Sequence, residues 1–263
     1  MIDEKQIDFF SKNGAIFLKG YFTDWIEVLR SGIEKLINNP SPRERSYTPK
    51  DGTAPFFQDL CNWQRIPEFE EFIFNSDIGE IASKLMQSNV SRFFHDHVLV
   101  KEPGTSKDTP WHSDGPYYFV NGQKTLSFWV PLDPVKEASL RMVAKSHKWG
   151  KQVLPTKWLT QENFYEETDQ FMSIPNPDLE QMDILEYQME PGDAVAFHFE
   201  TLHGSRGNNT KNRRRAFSLR LIGDDACFIE RSGKTSPPFP NHGMKNGEKL
   251  RTDWFPILYP PCS

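Results

Sequence analysis

Residues 190–223 read EPGDAVAFHFETLHGSRGNNTKNRRRAFSLRLIG, and this stretch decides the predicted fold. A Pro191-Gly192-Asp193 turn precedes the apolar run DAVAFHF at 193–199, and a second run, RRAFSLRLIG, follows at 214–223. Short runs that are rich in aromatic and aliphatic residues and are bounded by Gly, Pro or Asp are typical of β-strands. We therefore predict two strands here, joined by a polar connection.

Further strands are predicted on both sides of the centre of the chain. Residues 91–104, SRFFHDHVLVKEPG, alternate between two faces, and the segments KTLSFWVPLD at 124–133 and LEYQM at 185–189 are bounded in the same way. Short strands with irregular connections favour two facing sheets over alternating β-α units. The predicted fold class is mainly β with flanking helices, as a double-stranded β-helix (jelly roll, cupin-like).

The predicted organisation is one domain over residues 1–263. Helices within residues 1–90 are expected to pack on a jelly-roll core at 91–223, and residues 224–263 are expected to wrap the surface. Asp3 and Gln6 can form a capping box at the start of the first helix, and Thr23 or Asp24 is predicted to cap the second. The polar, Pro-containing segment 150–183 is expected to cross the barrel mouth, and its being a mobile lid stays open.

Composition excludes several classes of partner. The chain has 263 residues with 31 basic and 36 acidic side chains, so its net charge of −5 gives no reason to expect nucleic acid or an acidic membrane surface. No stretch approaches eighteen apolar residues and no apolar leader is visible, which predicts a cytoplasmic protein. Cys61, Cys227 and Cys262 are far apart and are expected to be reduced thiols. The sequence does not indicate the oligomeric state.

The segment TPWHSDGPYY at 109–118 carries the first candidate metal ligands. His112 and Asp114 are two residues apart, so in an extended segment both side chains point to the same side and can reach one ion. Such a pair is weak on its own, but His203 follows the 193–199 strand where the chain leaves the sheet. Two imidazoles and one carboxylate can hold Fe(II) on one face and leave the other open. A hydrogen-bonded histidine at a strand end is the alternative interpretation of His203.

Arg214 lies eleven residues after His203 and is the candidate for binding a second group. Its planar guanidinium can offer two parallel donors to a dicarboxylate such as 2-oxoglutarate. In a strand, Arg213 and Arg215 face the other way, so they are expected on the outer surface of the sheet.

Other histidines are weaker candidates. His95 and His97 flank Asp96, but in a strand Asp96 points away from both imidazoles. His97 shares with Lys101 the face that we expect to line the cavity. Both are candidates for the substrate pocket together with Tyr117, and contact with the co-substrate, core packing and surface placement are the alternatives. His147 is a third possible ligand, although a turn-capping or sheet-end role is favoured for it.

These segments resemble the phytanoyl-CoA dioxygenase family of Fe(II)/2-oxoglutarate oxygenases. The resemblance covers nearly the whole chain and rests on the motifs QIDFFSKNGAIFLKGYFT, VLVKEPG, TPWHSDGPYY, LSFWVPLDPV, AKSHKWG, EPGDAVAFHFETLHGSRGN and RRRAFSLRL. One departure is Lys145, where family members often carry glycine. The turn around Lys145 is therefore expected to use a different backbone conformation.

The resemblance implies an activity and roles for particular residues. Iron would be held by the catalytic set His112, Asp114 and His203, and 2-oxoglutarate would meet Arg214, with Ser205 and Trp129 beside it. With O2 as the oxidant, the expected reaction hydroxylates a small or medium organic metabolite and releases succinate and CO2. Asp114 occupies the position at which related halogenases have a small residue, so halogenation is not expected.

Two alternative functions stay open at this point. The first is a metal hydrolase or isomerase that uses Zn or Mn on the same scaffold, and it has no use for Arg214. The second is a non-catalytic binding protein, although the ligand set and the arginine are intact. The substrate is not determined: acyl-CoA, phosphonates, compatible solutes and secondary metabolites all stay open. Lys145, Lys148 and Lys151 near the expected mouth keep the CoA option in view.

Overall fold

The computed structural model describes residues 1–50, 52–158, 160–166 and 168–260. Within these ranges the helices are α1 (Glu4–Asn13), α2 (Ile26–Asn38), α3 (Pro67–Asn75) and α4 (Ile78–Leu85). Short 3₁₀ turns occur at Thr23–Trp25, Gly115–Tyr117 and Ser146–Lys148. None of the helices in these ranges is long and apolar enough to cross a membrane.

The strands follow the predicted pattern. In chain order the described residues form β1 (Ala15–Leu18), β2 (Phe56–Leu60), β3 (Ser91–Lys101), β4 (Thr109–His112), β5 (Val120–Asn121), β6 (Thr125–Pro131), β7 (Leu140–Val143), β8 (Ile184–Glu186), β9 (Ala194–Phe197), β10 (His203–Ser205), β11 (Arg214–Ile222), β12 (Cys227–Phe228) and β13 (Ile257–Tyr259).

Two antiparallel sheets dominate the described part of the chain. The larger sheet has the order β1-β9-β6-β11-β3-β13, and β2 also pairs with β3. The smaller sheet has the order β4-β10-β7-β8, and β5 pairs with β12. The order is far from sequential, as expected of a double-stranded β-helix. The predicted class, mainly β with flanking helices, is confirmed.

The helices cover the outer face of the larger sheet. Phe217, Leu219 and Leu221 alternate along β11 and pack in one apolar cluster with residues of α2, α3 and α4. Each is fully buried, which contributes about 1.5–3 kcal/mol per side chain to folding. The alternate residues Arg214, Ser218 and Arg220 point to the other face, where they line a cavity with residues of the smaller sheet. The period of two therefore separates a packing face from a polar inner face.

Local signals at the helix ends are partly confirmed. Asp3 and Gln6 form the predicted capping box at the start of α1. The predicted side-chain cap of α2 is wrong, because the Thr23 hydroxyl donates to the Gly20 carbonyl and a 3₁₀ turn leads into the helix. Lys145 has φ +66°, so it adopts the left-handed conformation that favours glycine, contrary to the prediction.

The covering segment, which we define as residues 150–183, has little regular structure in its described part. It is attached to the barrel at several points. The Tyr117 hydroxyl donates to the Thr156 carbonyl at 2.7 Å, and Tyr165 donates to Pro116 at 3.0 Å. Asp178 forms an ion pair with Arg141 of β7. The segment therefore lies against the site that the next section describes.

Candidate metal centre and adjoining cavities

The smaller sheet brings the two candidate histidine ligands together. β10 pairs with β4 in a register that places His203 opposite His112, and their ring centroids are 4.2 Å apart. Asp114 follows β4 where the chain enters a 3₁₀ turn. The ligand atoms of the three side chains all lie within 4.8 Å of one another, and all three residues are buried. The spacing predicted from sequence is therefore realised as one cluster.

Backbone carbonyls fix the tautomer of both imidazoles. Nδ1 of His112 donates to the Pro110 carbonyl at 2.8 Å, and Nδ1 of His203 donates to the Thr201 carbonyl at 2.9 Å. Because a carbonyl only accepts, the proton of each ring is on Nδ1 and the lone pair is on Nε2. Each Nε2 lies 4.0 Å from Oδ1 of Asp114. Two nitrogen lone pairs and one carboxylate oxygen thus converge.

The protonation states suit metal binding. Burial lowers the pKa of His112 to about 3, with the neighbouring His203 as the second cause. Burial likewise lowers the pKa of His203, so both rings are neutral at neutral pH. Burial acts to raise the pKa of Asp114, but the charge of Arg220, with a hydrogen bond from Ser127, outweighs it and holds that pKa far below its usual range. The cluster therefore presents two neutral nitrogens and an anion.

A buried arginine supports Asp114, and the sequence analysis did not identify it. Arg220 of β11 approaches Oδ2 of Asp114 with Nε at 3.2 Å, and the Ser127 hydroxyl donates to the same oxygen at 2.7 Å. Nε of Arg220 also donates to the Tyr118 hydroxyl. Oδ2 therefore accepts the shorter hydrogen bonds, whereas Oδ1 faces the imidazoles and accepts only a longer one, from Nη2 of Arg220 at 3.4 Å. The signal was present, because Arg220 shares a strand face with Arg214.

Arg214 is buried without an anionic partner in the described part of the chain. One terminal nitrogen donates to the Ala138 carbonyl at 2.6 Å, and Nε has no partner there. The guanidinium carbon lies 5.4 Å from the centre of the Trp129 ring. Burial lowers the pKa of Arg214 to about 10, so it is still charged at neutral pH. A buried charge without a counterion is costly, which makes this position a candidate anion site.

A narrow cavity connects Arg214 to the metal cluster. Its walls include Arg214, Ser205 and Trp129 together with the imidazoles of His112 and His203. These are the side chains that the resemblance assigned to the co-substrate and to the metal. The structure thus brings them to one place although they come from β4, β6, β10 and β11.

Lys101, a candidate for contact with substrate or co-substrate, lies beside Arg214. It pairs in register with Arg214, and its Nζ donates to the Ser205 hydroxyl at 3.2 Å and to the Arg206 carbonyl at 2.9 Å. It is not among the described residues that line the larger cavity. The end of β3 that carries Lys101 adjoins β11 at Arg214, so the side chain is positioned beside the arginine and not beside the substrate candidates.

A larger cavity of about 330 Å³ adjoins the metal cluster. His97 and Tyr117, both predicted substrate-pocket residues, line it. The covering segment contributes Thr156, Trp158 and Phe164, and the Trp158 ring centre lies 4.8 Å from that of His112. These contacts place the covering segment over the cavity beside the metal cluster. The sequence carried no signal for Trp158, because its contact with His112 depends on the path of an irregular segment.

The weaker candidates have structural roles. Asp96 accepts hydrogen bonds from the backbone of Asn62 and Trp63 and so turns away from the cavity, as predicted. Nε2 of His147 donates to the Ser11 carbonyl at 3.2 Å, which attaches the turn after β7 to α1. Arg213 and Arg215 form ion pairs on the outer side with Glu34, Glu102 and Asp133.

The lowered pKa values of the buried histidines should make the metal-free protein less stable at acidic pH. Five of them have a pKa below the unfolded value of about 6.5, namely His95, His97, His112, His198 and His203. The unfolded chain therefore takes up protons first, and the free energy of unfolding falls as the pH drops below about 6.5. Each group contributes up to about 1.4 kcal/mol per pH unit.

Urea unfolding at pH 7.5 and pH 5, with metal removed by chelation, measures this effect. Asp96 partly opposes this loss of stability. Burial raises its pKa to about 6, so the folded protein takes up one proton there before the unfolded chain does. The His198→Asn variant, with one buried histidine fewer, should show a shallower dependence. Equal stability at the two pH values would contradict the prediction.

The Tyr117 hydroxyl attaches the covering segment to the barrel, so its removal should weaken that attachment. Its hydroxyl donates to the Thr156 carbonyl and accepts from the Thr156 amide at 2.9 Å. Tyr117→Phe leaves both backbone groups without this partner, at a cost of about 1–3 kcal/mol. We expect faster hydrogen exchange and proteolysis around Thr156, with global stability less affected. Tyr187→Phe is the matched control, because it removes the same hydroxyl from a ring that stacks on Phe17 of β1, with 5.0 Å between the ring centres. Unchanged exchange in Tyr117→Phe would argue against this attachment.

The fold and the site define a class of protein. The described residues form a double-stranded β-helix whose interior brings together two histidines and one aspartate, a donor set that can hold a metal ion as a facial triad. The family model of phytanoyl-CoA dioxygenase (PhyH) matches residues 10–216. The chain belongs to this family, which confirms the resemblance seen in the sequence.

Curated relatives agree with the family assignment. A phytanoyl-CoA dioxygenase of Arabidopsis thaliana is 25% identical over 170 residues, which cover 61% of this chain and 54% of the relative. A probable phytanoyl-CoA dioxygenase of Caenorhabditis elegans is 29% identical over 187 residues, covering 66% of this chain and 55% of the relative. The chain thus spans about half the length of the curated relatives it matches.

Solved structures share the fold. The non-heme α-ketoglutarate-dependent epimerase SnoN from nogalamycin biosynthesis superposes with a TM-score of 0.78 at 19% identity, over 99% of this chain and 97% of SnoN. EctD from S. alaskensis, solved with 2-oxoglutarate and 5-hydroxyectoine, has a TM-score of 0.68 at 18% identity, over 94% and 85% of the two chains. SnoN has also been solved with Fe3+, α-ketoglutarate and nogalamycin RO.

Proposed function

We propose that this protein is an Fe(II)- and 2-oxoglutarate-dependent dioxygenase that hydroxylates a small or medium organic metabolite and releases succinate and CO2. One observation carries the proposal beyond family membership. Arg214 is a buried guanidinium without a carboxylate partner in the described chain, and it lines the same narrow cavity as the metal cluster. A dicarboxylate that reaches the metal with one end satisfies Arg214 with the other.

The metal cluster fits Fe(II). His112 and His203 would hold the ion through Nε2 and Asp114 through Oδ1, and this set of two neutral nitrogens and one anionic oxygen would leave Fe(II) with one net positive charge. When bound, the iron supplies the activation of O2 that couples decarboxylation of 2-oxoglutarate to oxidation of the substrate. Arg220 and Ser127 fix Oδ2 of Asp114, which holds the remaining oxygen in position and keeps the carboxylate ionised.

Arg214 and its neighbours would bind and orient the co-substrate. Two guanidinium donors can meet both oxygens of the distal carboxylate, which fixes the direction of the molecule toward the metal. Trp129 covers one face of the guanidinium, and Ser205 with Lys101 adds polar hydrogens at the same end. Burial, and then the charge of Arg214, lower the pKa of Lys101 well below its usual value. A bound carboxylate would favour the charged form of both groups.

The covering segment would exclude water from the substrate side. Trp158 lies against His112, and Tyr117 holds Thr156 over the cavity. Exclusion of water protects reactive species and strengthens electrostatic contacts inside the site. Mobility of this segment, as a lid that admits substrate, forms part of the proposal.

Hydroxylation is the outcome that we propose among several that the fold supports. SnoK is a carbocyclase and SnoN an epimerase, although both are α-ketoglutarate-dependent. Asp114 supports hydroxylation over halogenation, because it fills the position that a halide would need. Two alternative functions are a metal hydrolase or isomerase and a non-catalytic binding protein. Neither of them supplies an anionic ligand for the buried guanidinium of Arg214.

An anaerobic titration tests the proposal. Purified protein mixed with Fe(II) and 2-oxoglutarate should develop a weak visible absorption band from the chelate, and admission of O2 should then yield succinate. Zn(II) in place of Fe(II) is the matched control, since its filled d shell gives no such band. Absence of the band with Fe(II) would favour one of the alternatives.

A further inference from the structure

One wall of the larger cavity carries polar side chains that the protein leaves without partners. His95 and His97 of β3 line this wall, and Nε2 of each is buried without a hydrogen-bond partner in the described part of the chain. Gln58 of β2 lines it beside them. A buried polar atom without a partner costs about 1–3 kcal/mol, so two on one wall indicate that a ligand completes them.

The two imidazoles form a spaced pair of hydrogen-bonding positions. Residues two apart in a strand point to the same side and lie about 6.6 Å apart along it. Nδ1 of His95 is within 3.2 Å of the Asp96 carbonyl and donates to it, which leaves Nε2 as an acceptor. Burial lowers the pKa of His95 to about 3, so the ring is neutral at neutral pH. The ligand must therefore bring a donor, such as a hydroxyl group.

Charge in the cavity disfavours an ammonium group as that donor. Asp114 is the one acidic side chain among the described lining residues, and Arg220 already pairs with it. Arg45 and Lys157 lie at the cavity as well and are basic. A cationic ligand would meet positive charge and no free carboxylate. Neutral hydroxyl groups satisfy the imidazoles without this penalty.

A second wall of the cavity is aromatic and adjoins the histidine wall, since the ring centres of Trp158 and His97 are 6.4 Å apart. Tyr117, Trp158 and Phe164 line it, and Tyr117 packs edge-on against Phe164 with ring centres 5.1 Å apart. An aromatic surface binds an apolar face, while the histidine wall binds donors along an edge. A cavity of about 330 Å³ is at the small end for ligand sites, which run from about 300 to 1,000 Å³. The cavity therefore suits a compact amphipathic molecule.

We propose that the substrate carries an apolar face and at least two hydroxyl groups, the chemistry of a sugar ring or a cyclic polyol, and that His95 and His97 select it. The hydroxyl groups bind Nε2 of the two histidines, and the apolar face packs against Trp158. This inference rests on the proposed dioxygenase function and names its substrate class. The acyl chain of a long-chain acyl-CoA thioester has no hydroxyl groups, so it would leave Nε2 of both histidines without partners.

Succinate release in the presence of Fe(II) and 2-oxoglutarate tests the proposal. The probes are methyl β-D-glucopyranoside, myo-inositol, a glycosylated aromatic such as phenyl β-D-glucopyranoside, and hexadecanoyl-CoA. We expect hydroxylated rings to stimulate succinate release above the substrate-free rate and hexadecanoyl-CoA to have no effect. Stimulation by hexadecanoyl-CoA alone, or by none of the hydroxylated probes, overturns the proposal.

Variants at the histidine wall test its role directly. His95→Phe and His97→Leu should each raise the half-saturating concentration of the stimulating probe about tenfold, the effect of one lost hydrogen bond. His95→Gln and His97→Gln, which keep an amide at the wall, should recover part of the loss. His242→Leu is the matched control, because His242 packs between Phe119 and Phe228 away from the cavity. Half-saturation that stays at the wild-type value in both apolar variants overturns the proposal.

The anaerobic absorption band separates the two possible failures. If the wild-type protein gives no band with Fe(II) and 2-oxoglutarate, the dioxygenase function itself has failed. If the band forms and no hydroxylated probe stimulates turnover, only the substrate class has failed. Circular dichroism of each variant distinguishes loss of binding from loss of folding.

Discussion

Asp114→Ala is expected to abolish succinate formation, even with saturating Fe(II). The change removes the anionic ligand from a set of three and leaves two neutral imidazoles. Loss of a residue that merely supports a metal ligand typically costs about 10–100-fold in affinity or activity, so loss of the ligand itself should cost more. The measurement is succinate release per protein, together with the iron content after dialysis. Full activity in this variant would refute the assignment of the three ligands.

The variant also affects folding, and its control must separate the two effects. Without Asp114, the buried Arg220 loses its ion-pair partner, and breaking a buried pair costs about 3–5 kcal/mol. The double variant Asp114→Ala/Arg220→Met removes both charges, so we expect it to recover stability in thermal unfolding. It should not recover activity. Recovery of activity would show that the first loss came from instability and not from the missing ligand.

Arg214→Met is expected to weaken 2-oxoglutarate binding about 30-fold to several-thousand-fold, the equivalent of about 2–5 kcal/mol for truncating one partner of a buried charge pair. The same change should not destabilise the ligand-free protein. Arg214 has no anionic partner in the described chain, so its removal should leave stability unchanged or raise it. Titration of the anaerobic absorption band gives the affinity, and thermal unfolding gives the stability.

The neighbouring arginine provides the matched control. Arg213→Met removes the same kind of side chain one residue away, but Arg213 forms ion pairs with Glu34 and Glu102 on the outer side of the sheet. Its 2-oxoglutarate affinity should match that of the wild type. Arg214→Lys keeps the charge without the planar pair of donors and should recover only part of the binding. Equal affinity in Arg214→Met and Arg213→Met would remove Arg214 from the co-substrate site.

Ligand-induced stabilisation gives a second readout for the same pair. With 2-oxoglutarate at about 100 times its Kd, the metal-loaded wild-type protein should gain about 2.7 kcal/mol in unfolding free energy. Arg213→Met should show the same gain, and Arg214→Met should show little of it at that concentration. This comparison does not depend on turnover, so it also holds if the true substrate is absent from the assay.

Much of the candidate site could be predicted because its signals are local. The two-residue spacing of His112 and Asp114 places both side chains on one side of the chain, and alternation along β11 singles out Arg214 from Arg213 and Arg215. The same alternation marks Arg220, but the sequence could not show what it meets. Its partner Asp114 is 106 residues away in the chain. The sequence could not choose between substrate and co-substrate for Lys101 for the same reason, since its position beside Arg214 depends on the pairing of β3 with β11.

The sequence by itself determined the fold class, the three candidate metal ligands and the arginine, because periodicity and spacing act over a few residues and fix which face a side chain occupies. Only the tertiary structure decided what lies opposite that face. The pairing of β4 with β10 brings His112 to His203, β11 brings Arg220 to Asp114, and the covering segment brings Trp158 to His112. Such contacts depend on sheet register and on the path of an irregular segment, which local patterns do not specify.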